Sequence, residues 1–329
     1  MKAILSRNSK ITIVHLIFLL LIYLFFSADH INNLGIISLI PNELFNVNTI
    51  FLSIMIEAVP FILIGVIASA IIQTVVSDHL VQKLLPRHAF LAMLPATLLG
   101  IIFPICECAI IPVVRRLIKK GLPQHVGVVF MLSVPILNPI VFLSTYYAFP
   151  NNQVILYGRM VLAFLVILLI GSIVFLFFRN QPILKHTTER NQHTSTNKMG
   201  QFFKHVSDEF FDTGKYLLVG ALLASLFHTF LDRNLLVSIG TDHIKAPAVM
   251  MGFSYILSIC SEADAFVASS FSNSFGVGSI IAFLVLGPML DLKNTIMLFA
   301  YFRFKFVVIF IIITCCIVYI ASRLYEYII

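Results

Sequence analysis

The chain has 329 residues, 59% of them hydrophobic and 11% charged, with a formal net charge of +7 at pH 7. A soluble domain carries about 25% charged residues. No single core absorbs so much apolar surface, whereas a bilayer does. A soluble enzyme, a disordered chain and a secreted disulfide scaffold are excluded, and the fold class is an all-α polytopic membrane protein. Five cysteines in so long a chain make no disulfide framework. The positive balance does not point to nucleic acid, because the Lys and Arg lie between apolar runs, which is how membrane topology is encoded.

In chain order, Lys2, Arg7 and Lys10 precede the apolar run Ile11–Ser27. That run is long for a signal-peptide core, so an extra N-terminal membrane helix with an external loop is expected over 1–46. Val47–Val76, Ala89–Leu117, His125–Phe149 and Val154–Phe178 follow as segments two to five and form a first repeat over 47–178. A basic cytoplasmic linker spans 179–206, carrying Arg179, Lys185, Arg190, Lys198 and Lys204 against Glu189 alone. A second repeat over 207–329 holds segments six to nine: Glu209–Leu231, Ala246–Phe271, Val277–Ala300 and Phe304–Ser322.

The repeat shows in residues that apolar chance does not supply. Glu57, Gly65, Thr74 and Glu107 recur 155 residues later as Asp212, Gly220, Thr229 and Glu262. Pro135-Ile-Leu-Asn138 matches Pro288-Met-Leu-Asp291 at an offset of 153. Segments three and seven are interrupted by Cys106-Glu107-Cys108 and by Cys260-Ser261-Glu262-Ala263-Asp264. If both are re-entrant hairpins, the cluster Arg115-Arg116-Lys119-Lys120 stays cytoplasmic with the N-terminus and the linker, as the positive-inside rule requires. The two halves then have inverted topology, as in secondary transporters with helices broken at the midplane. Two short full crossings in each half give the same parity and stay open.

An ionisable group at membrane depth costs about 2.5–3.5 kcal/mol on insertion scales, so each needs a partner or a purpose. Glu57, Glu107, Glu262, Asp264 and Asp291 lie within apolar runs and Asp212 lies near an end, with Arg159, Lys215 and Lys293 as available counter-charges. Their spread over both halves points to a polar transport pathway. Pro104 and Pro112 flank Cys106-Glu107-Cys108 and disturb the helix there. Two thiols and a carboxylate suit a soft or borderline ion, which makes Cys106 and Cys108 candidate metal ligands. The spacing lacks the second ligand pair of a closed zinc site, and simple packing at a helix break is the alternative. Cys315 and Cys316 read as packing residues in an apolar run.

Glu107 and Glu262, at equivalent positions, are expected to approach each other, and Glu262 and Asp264 to share a proton. Asn138 and Asp291 would complete the site from kinked helices. Asp291 and Lys293, two apart, would face different ways on a regular helix and form no default salt bridge. His228 reads as a core imidazole, and His79, His88, His125 and His243 as interfacial. No P-loop, His-Glu-x-x-His or Gly-x-Ser-x-Gly is found, so neither an enzyme nor a cofactor is expected.

Four motifs carry a resemblance: Phe103-Pro-Ile-Cys106-Glu107-Cys108-Ala-Ile-Ile-Pro112-Val-Val-Arg-Arg116, Met131-Leu-Ser-Val-Pro135-Ile-Leu-Asn138-Pro139-Ile140, Cys260-Ser-Glu262-Ala-Asp264-Ala-Phe266 and Gly287-Pro288-Met-Leu-Asp291-Leu-Lys293. Together, over roughly Val47 to Ser322, they resemble a permease family of the YraQ and YcgR type, a distant relative of methylarsenite efflux permeases. The resemblance implies a multi-pass bacterial cell-membrane permease, points to thiophilic export, and implies pairing with a second small membrane subunit. A homo-oligomer stays open.

The reading is therefore a secondary transporter working by alternating access. Its substrate site comprises Cys106, Glu107, Cys108, Asn138, Glu262, Asp264 and Asp291, with Glu57 and Asp212 as further proton-coupling candidates. The alternatives are a membrane thiol oxidoreductase using Cys106 and Cys108, or a non-transporting membrane subunit that anchors a partner.

Overall fold

The computed structural model describes residues 42–75, 89–102, 106–150, 152–179, 181–185, 198–230 and 244–329. The expected first helix, Pro104, His79, His88 and His243 lie outside them. The first half comprises α1 (Asn42–Val75), α2 (Ala89–Ile102), α3 (Glu107–Lys119), α4 (Gln124–Ser133), α5 (Pro139–Ala148) and α6 (Gln153–Phe178). The second comprises α7 (Lys198–Phe230), α8 (Lys245–Leu257), α9 (Asp264–Ser269), α10 (Val277–Met289), α11 (Leu292–Tyr301) and α12 (Phe304–Ile328). Among the described residues, five runs are long and apolar enough to cross a membrane: Glu43–Gln73, Gln153–Phe178, Val206–Phe230, Val277–Tyr301 and Phe304–Ile328. The protein is an all-α, multi-pass membrane protein.

Segments three, four, seven and eight are each split in two, at the positions where the sequence puts proline and polar residues. Asn138 and Asp291 leave the helical region for extended backbone and cap the half-helices that follow. The Asn138 side chain accepts from Val141 N at 2.9 Å, and Asp291 from Asn294 N at 2.6 Å. Each satisfies a donor that has no partner within its own helix. Pro139 opens α5 at a position where the missing N–H costs nothing.

Helix α3 ends in a Schellman turn. Gly121 takes φ 98°, its N–H donates to Ile118 O, and Leu122 N donates to Leu117 O at 3.0 Å. This turn sends α4 back along α3. Helix α2 runs parallel to α4. Phe90 at its start and His125 at the start of α4 both pack edge-on to Phe175, and Gly100 near its end lies against Ser133. The α2–α3 hairpin therefore enters and leaves at one end of the molecule, beside the C-terminus of α6.

The second hairpin uses the opposite end. Tyr319 donates to Ile244 O at the start of α8, and Gly276 at the α9–α10 turn lies against Glu326. Both partners are on the C-terminal part of α12, which runs antiparallel to α6. Tyr325 near its end donates to Val154 O, and Phe306 near its start stacks edge-on with Phe178.

Association between membrane helices rests on close van der Waals fit at small residues rather than on apolar burial from water. The repeated glycines serve this purpose. A Cβ on Gly65 of α1 would lie 2.6 Å from Ala109 O of α3, and one on Gly220 of α7 would lie 2.9 Å from Lys293 Cα of α11. Helix α7 starts at Lys198, well before the apolar segment expected from Glu209. Its first turns are polar, so hydropathy does not show them, although their backbone bonds continue the helix. The start of the expected linker is also anchored: Lys185 N donates to Tyr301 O and Arg303 N to Ile183 O. On α12, Cys315 is half-buried and Cys316 faces outward.

Candidate functional site at the helix breaks

The breaks bring three groups of polar side chains together. In the first, Glu107 opens α3 directly after Cys106, whose extended backbone caps that helix. The carboxylate is 4% exposed, and its Oε1 lies 3.0 Å from Lys293 Nζ on α11. The same ammonium lies 3.2 Å from Asp291 Oδ2 and donates to Ser258 O at 2.8 Å. Lys293 and Asp291 are thus an ion pair, contrary to the helix-based expectation. Asp291 is a cap with φ −131° and ψ 172°, so its side chain leans over the first turn instead of following helical spacing. The Cys106 and Cys108 thiols are buried beside Lys293 and are side-chain partners of each other. Cys106 is extended and Cys108 helical, and this mixed backbone lets two residues in alternating positions meet.

In the second group, Arg159 of α6 is wholly buried. It donates to Thr145 Oγ1 of α5 at 2.8 Å and to Asp264 Oδ2 of α9 at 2.7 Å. The guanidinium fork supplies directional donors that a buried carboxylate needs. Both groups cross between the halves: a cation of the second half holds the first hairpin, and a cation of the first half holds the second hairpin.

The third group is Glu57, Cys260 and Glu262. Cys260 has Glu57 and Glu262 as side-chain partners, and Glu107 acts on Glu262 through space. Glu57 sits at the centre of the Glu43–Gln73 span and is exposed, and Cys260 and Glu262 are half-buried. Glu262 and Asp264 do not form the expected proton-sharing pair, because Asp264 opens α9 and turns to Arg159 while Glu262 stays in the preceding turn with Cys260. Asn138, fully buried, uses its amide on the backbone, donating to Val134 O at 3.1 Å. Asp212 is outside the site: its side chain is 66% exposed and pairs with Lys215 at 2.5 Å.

Sequence reasoning treated Arg159 and Lys293 only as available counter-charges and did not single out Thr145, Ser258 or Glu209. Glu209 is buried on α7, where it accepts from Ser69 of α1 and lies 3.5 Å from Arg116 of α3. A lone Arg within segment five and a Lys next to a Pro-x-x-Asp motif were the available signals. Nothing marked Glu209, which looks like a solvated residue at a segment end. Among the described residues, no three His, Cys, Asp or Glu side chains are gathered as a metal-holding set.

Residues 43–327 match the model of a family described as predicted permease. The chain belongs to that permease family. It is 48% identical over 271 residues to "UPF0718 protein YcgR" of Bacillus subtilis, covering 81% of this chain and 92% of the relative. It is 37% identical over 284 residues to a Streptococcus mutans protein named "Putative two-component membrane permease complex subunit", covering 84% and 94%. No solved structure matches. The family implied by the four motifs is the one found.

Proposed function

We propose that the permease moves a small thiophilic metal or metalloid species by alternating access of two inverted-topology repeats, with its site between the two hairpins. The observation that carries this reading is the charge balance at the breaks. Five carboxylates (Glu57, Glu107, Glu262, Asp264 and Asp291) gather with two cations, Arg159 and Lys293. Excess carboxylates in a membrane interior need a proton or a bound cation. The antiparallel α6 and α12 and the hairpins opening at opposite ends support the inverted arrangement, and the paired thiols of Cys106 and Cys108 support a soft substrate. The side holding Arg115, Arg116, Lys119 and Lys120 is cytoplasmic on this reading, with the cell membrane as the location. By analogy with the Streptococcus relative's name, a second membrane subunit works with this one.

The test is flux of Zn²⁺ and of trivalent methylarsenite in proteoliposomes of wild type and the Cys106→Ser/Cys108→Ser variant. Movement of either solute in wild type, lost in the variant, supports the thiophilic site. Equal flux in both, or none, overturns it. Proton coupling resides in Glu57 and Glu262, the two of these carboxylates with no cation partner among the described residues. Glu262→Gln then removes dependence of flux on a pH gradient, and retained dependence refutes that part.

A further inference from the structure

Lys293 sits where a transported cation would be expected. Three oxygens from three different places surround its ammonium within 3.2 Å: Glu107 Oε1, Asp291 Oδ2 and Ser258 O. The residue is buried, and so are the Cys106 and Cys108 thiols beside it. Glu107 Oε2, also buried, has no hydrogen-bond partner among the described residues. A buried carboxylate oxygen without a partner is costly, so the cradle has ligand capacity that the ammonium does not use.

The backbone carries an independent sign. Ser258 is the sole non-glycine residue with positive φ among those described, at φ 49° and ψ 42°. A side chain disfavours this left-handed region, and such a residue persists only where its surroundings over-determine it. Here the surroundings are the start of α11. The Ser258 carbonyl accepts from Lys293, and its hydroxyl accepts from Leu292 N at 3.1 Å. The ammonium therefore fills the oxygen cradle, ties α3 to α11 across the halves, and holds the second hairpin in a strained turn.

We propose that Lys293 is the resident counter-ion of the permease, displaced when a divalent substrate cation enters between Glu107 and Asp291, so that binding frees the Ser258 turn and unties the halves. This rests on the permease reading above and adds the competition between lysine and substrate. A cation that removes one tie while it neutralises two carboxylates couples occupancy to movement of the hairpin. A site without the lysine would bind the same cation more tightly and release it more slowly.

The test measures Zn²⁺ binding to purified wild type, Lys293→Met, Lys293→Arg and Glu107→Gln, together with Zn²⁺ flux in proteoliposomes. The expected result is at least tenfold tighter binding in Lys293→Met with slower flux, near wild-type affinity in Lys293→Arg, and loss of binding in Glu107→Gln. Equal affinity in wild type and Lys293→Met, with Glu107→Gln still defective, overturns the role of Lys293 and leaves the transport site standing. No Zn²⁺ binding in either wild type or Lys293→Met overturns the lysine competition, and methylarsenite flux then decides the thiophilic reading by itself. If Lys293→Met does not fold, hydrogen exchange on wild type decides. Amides from Leu257 to Ser261 should exchange several-fold faster with saturating Zn²⁺, and unchanged exchange in Zn²⁺-bound protein refutes the release step.

Discussion

Asn138 and Asp291 stand at corresponding breaks of the two halves and cap α5 and α11 through the same acceptor geometry. Their surroundings differ. Asn138 spends its second polar group on Val134 O and closes its own loop. Asp291 keeps a charged oxygen for Lys293, and Lys293 reaches Glu107 of the other half. Changing an amide to a carboxylate, with a lysine two residues on, converts a local helix stop into a link between halves. At the neutral break the cross-tie is supplied by other elements, with Arg159 of α6 joining Thr145 of α5 to Asp264 of α9. Similar backbones thus carry two different ties: a rigid guanidinium fork and a flexible ammonium beside two thiols.

This contrast can be broken at several points. Arg159→Met should be the most damaging change, leaving Asp264 buried without its cation at a cost of about 3–5 kcal/mol. A large drop in thermal unfolding temperature in detergent, partly restored by adding Asp264→Asn, is expected. No restoration would mean that the Arg159 stem, not its charge, holds the hairpin. Gly65→Ala should come next, at about 1–3 kcal/mol, because its Cβ would fall 2.6 Å from the Ala109 carbonyl oxygen. The same assay reads it.

The caps themselves give the sharper comparison. Asn138→Ala and Asp291→Ala should each lose about 0.5–2 kcal/mol of helix-cap stability. Asp291→Asn should keep the cap while reducing Zn²⁺ binding in titrations of the purified protein. An Asn at position 291 that preserves binding would place the cation elsewhere. Asp212→Asn should be the mildest, within about 0.5 kcal/mol and without change in flux, since its pair with Lys215 is exposed.

Much of the candidate site could be read from residue type alone. Acids at membrane depth, the paired Pro-x-x-Asn/Asp motifs and the repeated glycines marked Glu57, Glu107, Glu262, Asp264, Asp291, Asn138, Gly65 and Gly220. These are conspicuous because the bilayer makes each polar or small residue an exception. The pairing was not legible. Asp291 with Lys293 looked unfavourable on helical spacing, and only the extended cap conformation brings them together. Glu262 and Asp264 looked like partners, but a single turn of backbone separates their environments. Glu209 looked solvated, because its partners Ser69 and Arg116 are far away in sequence.

Composition and patterning by themselves determined that this is a helical membrane protein with its helices broken at Cys106-Glu107-Cys108, Pro135–Asn138, Cys260–Asp264 and Pro288–Asp291. Hydropathy sets where a chain enters a bilayer, and proline and capping residues set where a helix stops, and both are local properties. Tertiary structure alone decided which cation meets which carboxylate. Lys293 and Arg159 reach across the halves because helices packed through small residues bring distant breaks to one level. There each buried charge takes the nearest oxygen the fold presents.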